Sequence, residues 1–238
     1  MPVAVPIVAG TAIRGLAATV MMRPVLERHH NAFLITLANF GVTMSMERSQ
    51  KHLHDDIQKG LAEQGRAPDS PVVLVGHSQG ALACLRYALD HQDQVVHTIS
   101  VGIPWRGSES AARVSRLFRW TGRNLTPALS DMAEGSTFLA DLHRDLPKIA
   151  DRVTNIYSTH ELFIRPYVAA HIDVPGVENL LIATESEYHN HLRGYPELPV
   201  DDIILGRITH LGEMNSPDVR SRIWAKVDQV TAHLPHQG

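Results

Sequence analysis

Ser78 stands between two glycines in the stretch VVLVGHSQGALA, Val72 to Ala83, with an apolar run before it and a helix-like run of small residues after it. A G-x-S-x-G pattern at a strand-to-helix bend is a nucleophile elbow. Gly76 and Gly80 let the two backbones approach closely around a serine held in a strained turn. The bend sets Ser78 at a helix N-terminus, where backbone N–H groups and the helix dipole favour the negative charge that develops in acyl transfer. The plainer reading is a glycine-bounded turn with an incidental serine. Against it, both expected flanks are present, Val72–Val75 as strand and Ala81–Asp90 as helix.

A serine hydroxyl is a weak nucleophile at neutral pH, so it needs a histidine base and a carboxylate to orient that base. On a strand–elbow–helix scaffold these follow in the order serine, acid, histidine. The run VTNIYSTHELFIRP closes a strand near Tyr157 and offers Glu161 in the following loop, while ITHLGEMNSP places His210 just before the last helix. His160 is a rival catalytic residue, and Asp173 and Glu178 compete with Glu161. His77, inside the elbow, reads as packing beside the nucleophile.

The remaining histidines, of 15 in all, do not build a metal site. His52 and His54 are two apart on a predicted helix and point in different directions. His189 and His191 in YHNHL could chelate, but no nearby carboxylate and histidine set completes the shell. Cys84 is the single cysteine, so there is no intrachain disulfide and no thiolate cluster; its small-residue surroundings make it a buried spacer. Neither a metal nor an organic cofactor is expected.

These residues must be held by an alternation of strands and helices. Apolar runs recur at Val3–Val8, Phe33–Leu37, Val72–Val75, Val95–Val101, Val153–Tyr157 and Val177–Ile182, most without a period of two. Such runs indicate strands buried on both faces. Helix-like segments at Thr19–His30, Glu47–Gln64 and Ala81–Asp90 separate the early ones, and a final amphipathic helix starts at Ser216-Pro217, with Val219, Ile223, Val227 and Val230 on one face. The fold class is therefore α/β, a mostly parallel central sheet with helices on both faces. The alternation lapses between Trp105 and Pro147, where Arg106, Arg113, Arg116, Arg119 and Arg123 occur; this segment, about 105–147, is expected to be a helical cap insertion in one domain spanning 1–238.

The bulk composition fits. Apolar residues at 44% and charged residues at 20% are those of a compact globular chain, and a net charge of −3 gives no global field for nucleic acid or an anionic membrane. No stretch has the roughly 20 apolar residues of a membrane span. The N-terminal MPVAVPIVAG reads as a strand and not as a signal peptide, so a cytoplasmic location is expected, or secretion if a leader precedes it.

With these residues in hand, the chain resembles the α/β-hydrolase superfamily and, within it, the small bacterial triacylglycerol lipases and esterases. GHSQG matches the elbow, VVHTISVGIPWRGS the following strand and loop, and MAEGSTFLADL a segment common before the acid strand. VTNIYSTHELFIRP is similar to the acid loop, usually Asp-x-x-Val-x-Pro, with Glu161 in place of aspartate and Ile164 and Pro166 at the right spacing; HLGEMNSPDV matches the histidine loop through His210. The likeness is good from Val72 to Val230 and one of pattern only before that. The first strand normally ends in His-Gly; here VAGTAIRG keeps Gly10 but has Ala9 in place of the histidine.

The resemblance implies an oxyanion hole from the backbone N–H groups of Gln79 and Thr11, with Ala12 as the alternative to Thr11. It also implies a Ser78–His210–Glu161 triad acting on acyl esters or lipids through an acyl-enzyme. An acyltransferase or thioesterase with the same triad, and a non-catalytic binding protein on the same fold, are the competing expectations. Val114, Leu117 and Phe118 share a predicted helix face in the cap segment, either core-packing or turned to an acyl chain or lipid surface. Phe40, Met44 and Met46 are core residues or lining of the same pocket.

Overall fold

The computed structural model describes residues 3–10, 22–27, 31–37, 44–107, 127–232 and 234. Seven strands form one sheet: β1 Val5–Ala9, β2 Ala32–Thr36, β3 Val72–His77, β4 Val95–Val101, β5 Val153–Ser158, β6 Glu178–Ala183 and β7 Asp202–Leu205. Their order across the sheet is β2-β1-β3-β4-β5-β6-β7, and every neighbouring pair is parallel. All carboxyl ends therefore lie along one edge. The order reverses between β1 and β3, the place where open parallel sheets hold their sites.

The continuous apolar runs are explained by burial on both faces. Successive side chains of a strand point to opposite sides, and β3 divides accordingly: Val72 and Leu74 enter one core, Val73 and Val75 the other. The first core is closed by α1, Met46–Glu63, and α2, Gln79–Asp90. Leu53, Ile57 and Leu61 make the buried stripe of α1, and Ser45 caps it by accepting a hydrogen bond from the Arg48 N–H at 3.3 Å. Cys84 is fully buried in this core, where desolvation pushes its thiol far up. Met46 is buried there too, while Phe40 lies outside the described residues.

Two further helices, α3 Pro127–Asp131 and α4 Thr137–Asp145, come from the arginine-bearing segment. Leu139, Leu142 and Leu146 enter the α1–α2 core, so this portion packs onto the body of the domain. Residues 108–126, which carry Arg113, Arg116, Arg119, Arg123 and the Val114–Leu117–Phe118 face, lie outside the described residues.

Two elements are absent from the sequence reading. β7 has four residues, half-exposed at the sheet edge, too short to show a pattern. Helix α5, Glu185–Gly194, buries only His191, so it has almost no apolar periodicity. Its legible signal is the capping box at its start, with Thr184 accepting from the Glu187 N–H and Glu187 from the Thr184 N–H. The last helix, α6, Pro217–Thr231, follows expectation: Ser216 caps it, proline opens it, and Val219, Ile223 and Val227 pack under the sheet in the second core. No helix among the described residues is long and apolar enough to cross a membrane.

Candidate active site

Ser78 joins β3 to α2 with φ 57° and ψ −125°, the one described residue other than glycine with positive φ. Few side-chain-bearing residues occupy this region, and holding one there costs roughly 1–3 kcal/mol. The flanking glycines make the turn possible. A Cβ on Gly76 would lie 2.5 Å from Ala81 Cα, and one on Gly80 would lie 2.2 Å from the Val8 carbonyl oxygen. The Ser78 hydroxyl makes no capping bond to its own helix, and the residue is half-buried, open toward solvent. Its N–H donates to the Val101 carbonyl at 2.9 Å, tying the elbow to the end of β4.

His210 and Glu161 meet at the same edge of the sheet. His210 Nδ1 is 2.8 Å from Glu161 Oε1, with both side chains buried. With a carboxylate acceptor at Nδ1, the neutral ring carries its hydrogen there and leaves Nε2 with a lone pair. Ser158, at the end of β5, clamps the two loops together: its hydroxyl donates to the Ile208 carbonyl at 2.5 Å and accepts from the His160 N–H at 3.0 Å. Next to Ser78, the His77 ring lies 4.7 Å from the His210 ring, and its Nε2 is 3.0 Å from the His210 carbonyl oxygen. Burial, and then the neighbouring His210, lower the His77 pKa to about 3, so its ring is neutral and Nε2–H is the donor.

The competing residues are engaged elsewhere. His160 Nε2 is 3.0 Å from Glu187 Oε1, on α5. Asp173 accepts from Trp105 Nε1 and Arg106, each at 2.9 Å. Glu178 starts β6 and pairs with Lys226 at 2.8 Å, at the amino end of the sheet. His191 bonds Tyr167 through Nδ1 and the Leu198 carbonyl through Nε2, which is a structural role. Of the expected oxyanion donors, Gln79 is the first residue of α2. Gly10 passes directly against it: a Cβ there would be 2.9 Å from Ser78 Cβ and 3.2 Å from Gln79 N. Thr11 and Ala12 lie outside the described residues.

One residue escaped the sequence reading. Glu213 is fully buried, with Oε2 3.7 Å from His210 Nδ1 and 3.5 Å from His77 Nε2. It is three residues beyond His210 in HLGEMNSP, a polar loop where a solvated carboxylate is the usual expectation. Burial, then the charge of Glu161 and a hydrogen bond with it, push its carboxyl well above the ordinary range. His77, His210 and Glu213 lie close enough to face one cation. Both ring nitrogens concerned already donate hydrogen to protein oxygens, which leaves them no lone pair for a metal.

Leu162 and Leu211, which directly follow Glu161 and His210, and Phe163, two residues beyond Glu161, are 56%, 43% and 43% exposed, respectively. The Phe163 ring lies 5.4 Å from the His210 ring. An apolar rim thus borders the histidine.

Comparison with known proteins agrees with this fold. Residues 15–237 match the model of the alpha/beta hydrolase family, so the chain belongs to the alpha/beta hydrolase family. No curated protein sequence matches it. Among solved structures it is similar to lipase B of Aspergillus fumigatus, with TM-score 0.56 and 18% identity over 99% of this chain and 58% of that one. It is also similar to a monoacylglycerol lipase of Paleococcus ferrophilus, with TM-score 0.51 and 16% identity over 98% and 97%. A third is phospholipase PlaB of Legionella pneumophila in complex with thio-NAD, with TM-score 0.51 and 12% identity over 97% and 62%. The chain spans only about three fifths of the Aspergillus and Legionella proteins. At such identities these likenesses establish the fold.

Proposed function

We propose that the protein is a serine hydrolase of carboxylic esters with an apolar acyl part. Ser78 is the nucleophile, His210 the base, Glu161 the acid, and the N–H groups of Gln79 and Thr11 the oxyanion donors. The observation that carries this reading is the buried 2.8 Å bond from His210 Nδ1 to Glu161, at the same sheet edge as the strained serine of the elbow. His210 Nε2 takes the Ser78 proton as Oγ attacks the ester carbonyl, and the negative oxygen forms against the two N–H groups. Glu161 holds the ring and stabilises the imidazolium. Collapse breaks the C–O bond, and His210 gives its proton to the departing alcohol; water repeats the sequence in reverse and frees the acid. The apolar rim of Leu162, Phe163 and Leu211 supports an apolar acyl group, as do the lipases among the structural relatives.

Labelling with a fluorophosphonate tests this. The native chain is expected to label and to hydrolyse p-nitrophenyl esters, with the preferred chain length reporting on the rim. Ser78→Ala and His210→Ala are expected to lose both. Absence of label on the folded native protein refutes the reading in favour of a non-catalytic binding protein.

A further inference from the structure

The carboxyl pair beneath His210 is left over from the mechanism above. Glu161 and Glu213 are both buried, and their carboxyl groups converge on one atom, His210 Nδ1, at 2.8 Å and 3.7 Å. Glu161 Oε1 is used by His210, but no N–H or hydroxyl among the described residues reaches Glu161 Oε2 or either oxygen of Glu213. Four titratable groups face one another here: Glu161 from the loop after β5, His210 and Glu213 from the loop before α6, and His77 from the elbow. No lysine or arginine pairs with either carboxyl among the described residues. Two buried carboxylates without a balancing cation repel each other strongly, so one of them keeps a proton.

The proton belongs on Glu213. Glu161 has the Nδ1–H of His210 to stabilise its charge, whereas Glu213 Oε2 stands at 3.7 Å from that nitrogen and 3.5 Å from a His77 Nε2–H already given to the His210 carbonyl. The backbone reserves space for this carboxyl. Gly102 has φ 57°, and a Cβ there would lie 2.4 Å from Glu213 Oε2 and 2.8 Å from His210 Nδ1.

Resting on the Ser78–His210–Glu161 reading, we infer that Glu213 is a positioning residue that stays protonated in the resting protein and donates its O–H to Glu161, holding that carboxylate against His210. The donated bond occupies the otherwise orphaned Glu161 oxygen and leaves the site with one negative charge. It also fixes the Glu161 carboxylate in the orientation that accepts from His210 Nδ1, so the ring keeps the tautomer that the reaction needs. At alkaline pH, loss of the Glu213 proton breaks the bond and adds a second charge.

Infrared spectroscopy of the unliganded protein reads the proton directly. A protonated-carboxyl C=O band is expected at neutral pH in the native protein and is expected to be missing in Glu213→Gln. The band's absence from the native protein overturns the inference. Its presence in a protein that neither labels nor turns over upholds the proton assignment while refuting the proposed function.

Kinetics supply the second arm, with folding of each variant verified by melting. Glu213→Gln retains an N–H donor and is expected to keep kcat, with its alkaline limb shifted to higher pH. Glu213→Leu removes the donor and is expected to lower kcat by roughly ten- to a hundredfold, the value of a hydrogen bond to a charged group, with KM unchanged. Loss in Glu213→Gln as large as in Glu161→Gln, or an alkaline limb that does not move, would show that Glu213 acts through its charge or only through packing, and overturns the inference.

Discussion

Ser78 combines two demands on one residue, a backbone turn that glycine would adopt more easily and a hydroxyl that glycine lacks. The two can be separated by substitution. Ser78→Gly relieves strain of roughly 1–3 kcal/mol and gives back ~0.5–1 kcal/mol through glycine's flexibility, whereas Ser78→Ala keeps the strain. Both variants are expected to lose fluorophosphonate labelling, and urea unfolding is expected to find Ser78→Gly the more stable by about 1 kcal/mol. Equal stability would mean that the turn is not strained. At this scale the sequence was informative: the spacing of Gly76, Ser78 and Gly80 is a local backbone requirement and is visible wherever it occurs. Glu161 and His210 were legible only through their places after a strand and before a helix, and Glu213 was not legible, since nothing in HLGEMNSP distinguishes a carboxylate turned inward from a solvated one.

The elements matter through where their ends stop. β3, β4 and β5 deliver Ser78, Gly102 and the Glu161 loop to one edge because all run parallel, and the loop before α6 returns His210 to that edge. Gly102 ends β4 in a left-handed conformation against the His210 ring and the Glu213 carboxyl. Gly102→Ala forces a side chain into both an unfavourable φ and an occupied space. It is expected to cost about 2 kcal/mol of stability and to slow labelling of Ser78 at least about tenfold. A variant that labels at the native rate would show that His210 and Glu213 can shift without consequence. The missed elements share one cause. β7 and α5 bury little, and hydrophobic periodicity records only what is buried.

At the scale of the molecule, buried histidines couple stability to pH. Burial is the chief cause that lowers His77 to about 3 and His97 and His171 each to about 4, below their unfolded value of 6.5. The unfolded chain therefore binds more protons than the folded one as pH drops below 6.5, and stability falls with it. Glu213 acts oppositely above its unfolded value of 4.5, because burial and Glu161 keep it protonated in the fold while the unfolded chain releases the proton. These four groups then leave a net of at most about two protons between roughly pH 6.5 and pH 4.5, a limit of about 3 kcal/mol per pH unit. Urea midpoints are expected to decline across that window, before most carboxylates titrate, and His97→Gln is expected to flatten the decline. A midpoint constant from pH 7 to pH 5 would refute this account.

What the sequence determined by itself was local: the elbow with its serine, the alternation of buried strands and helices, and loops carrying an acid and a histidine in the required order. These are written in short-range chemistry, in glycines where backbones touch and in apolar runs where both faces are covered. Only the tertiary structure decided the strand order, the contact of His210 with Glu161 while Asp173 and Glu178 pair elsewhere, the packing of His77 behind His210, and the burial of Glu213 beside Glu161. Each of these depends on distances between residues far apart in the chain and on exclusion of water. Position along the sequence carries neither, since a carboxyl group becomes an acid, an ion-pair partner or a proton holder according to what the fold brings within a few ångströms of it.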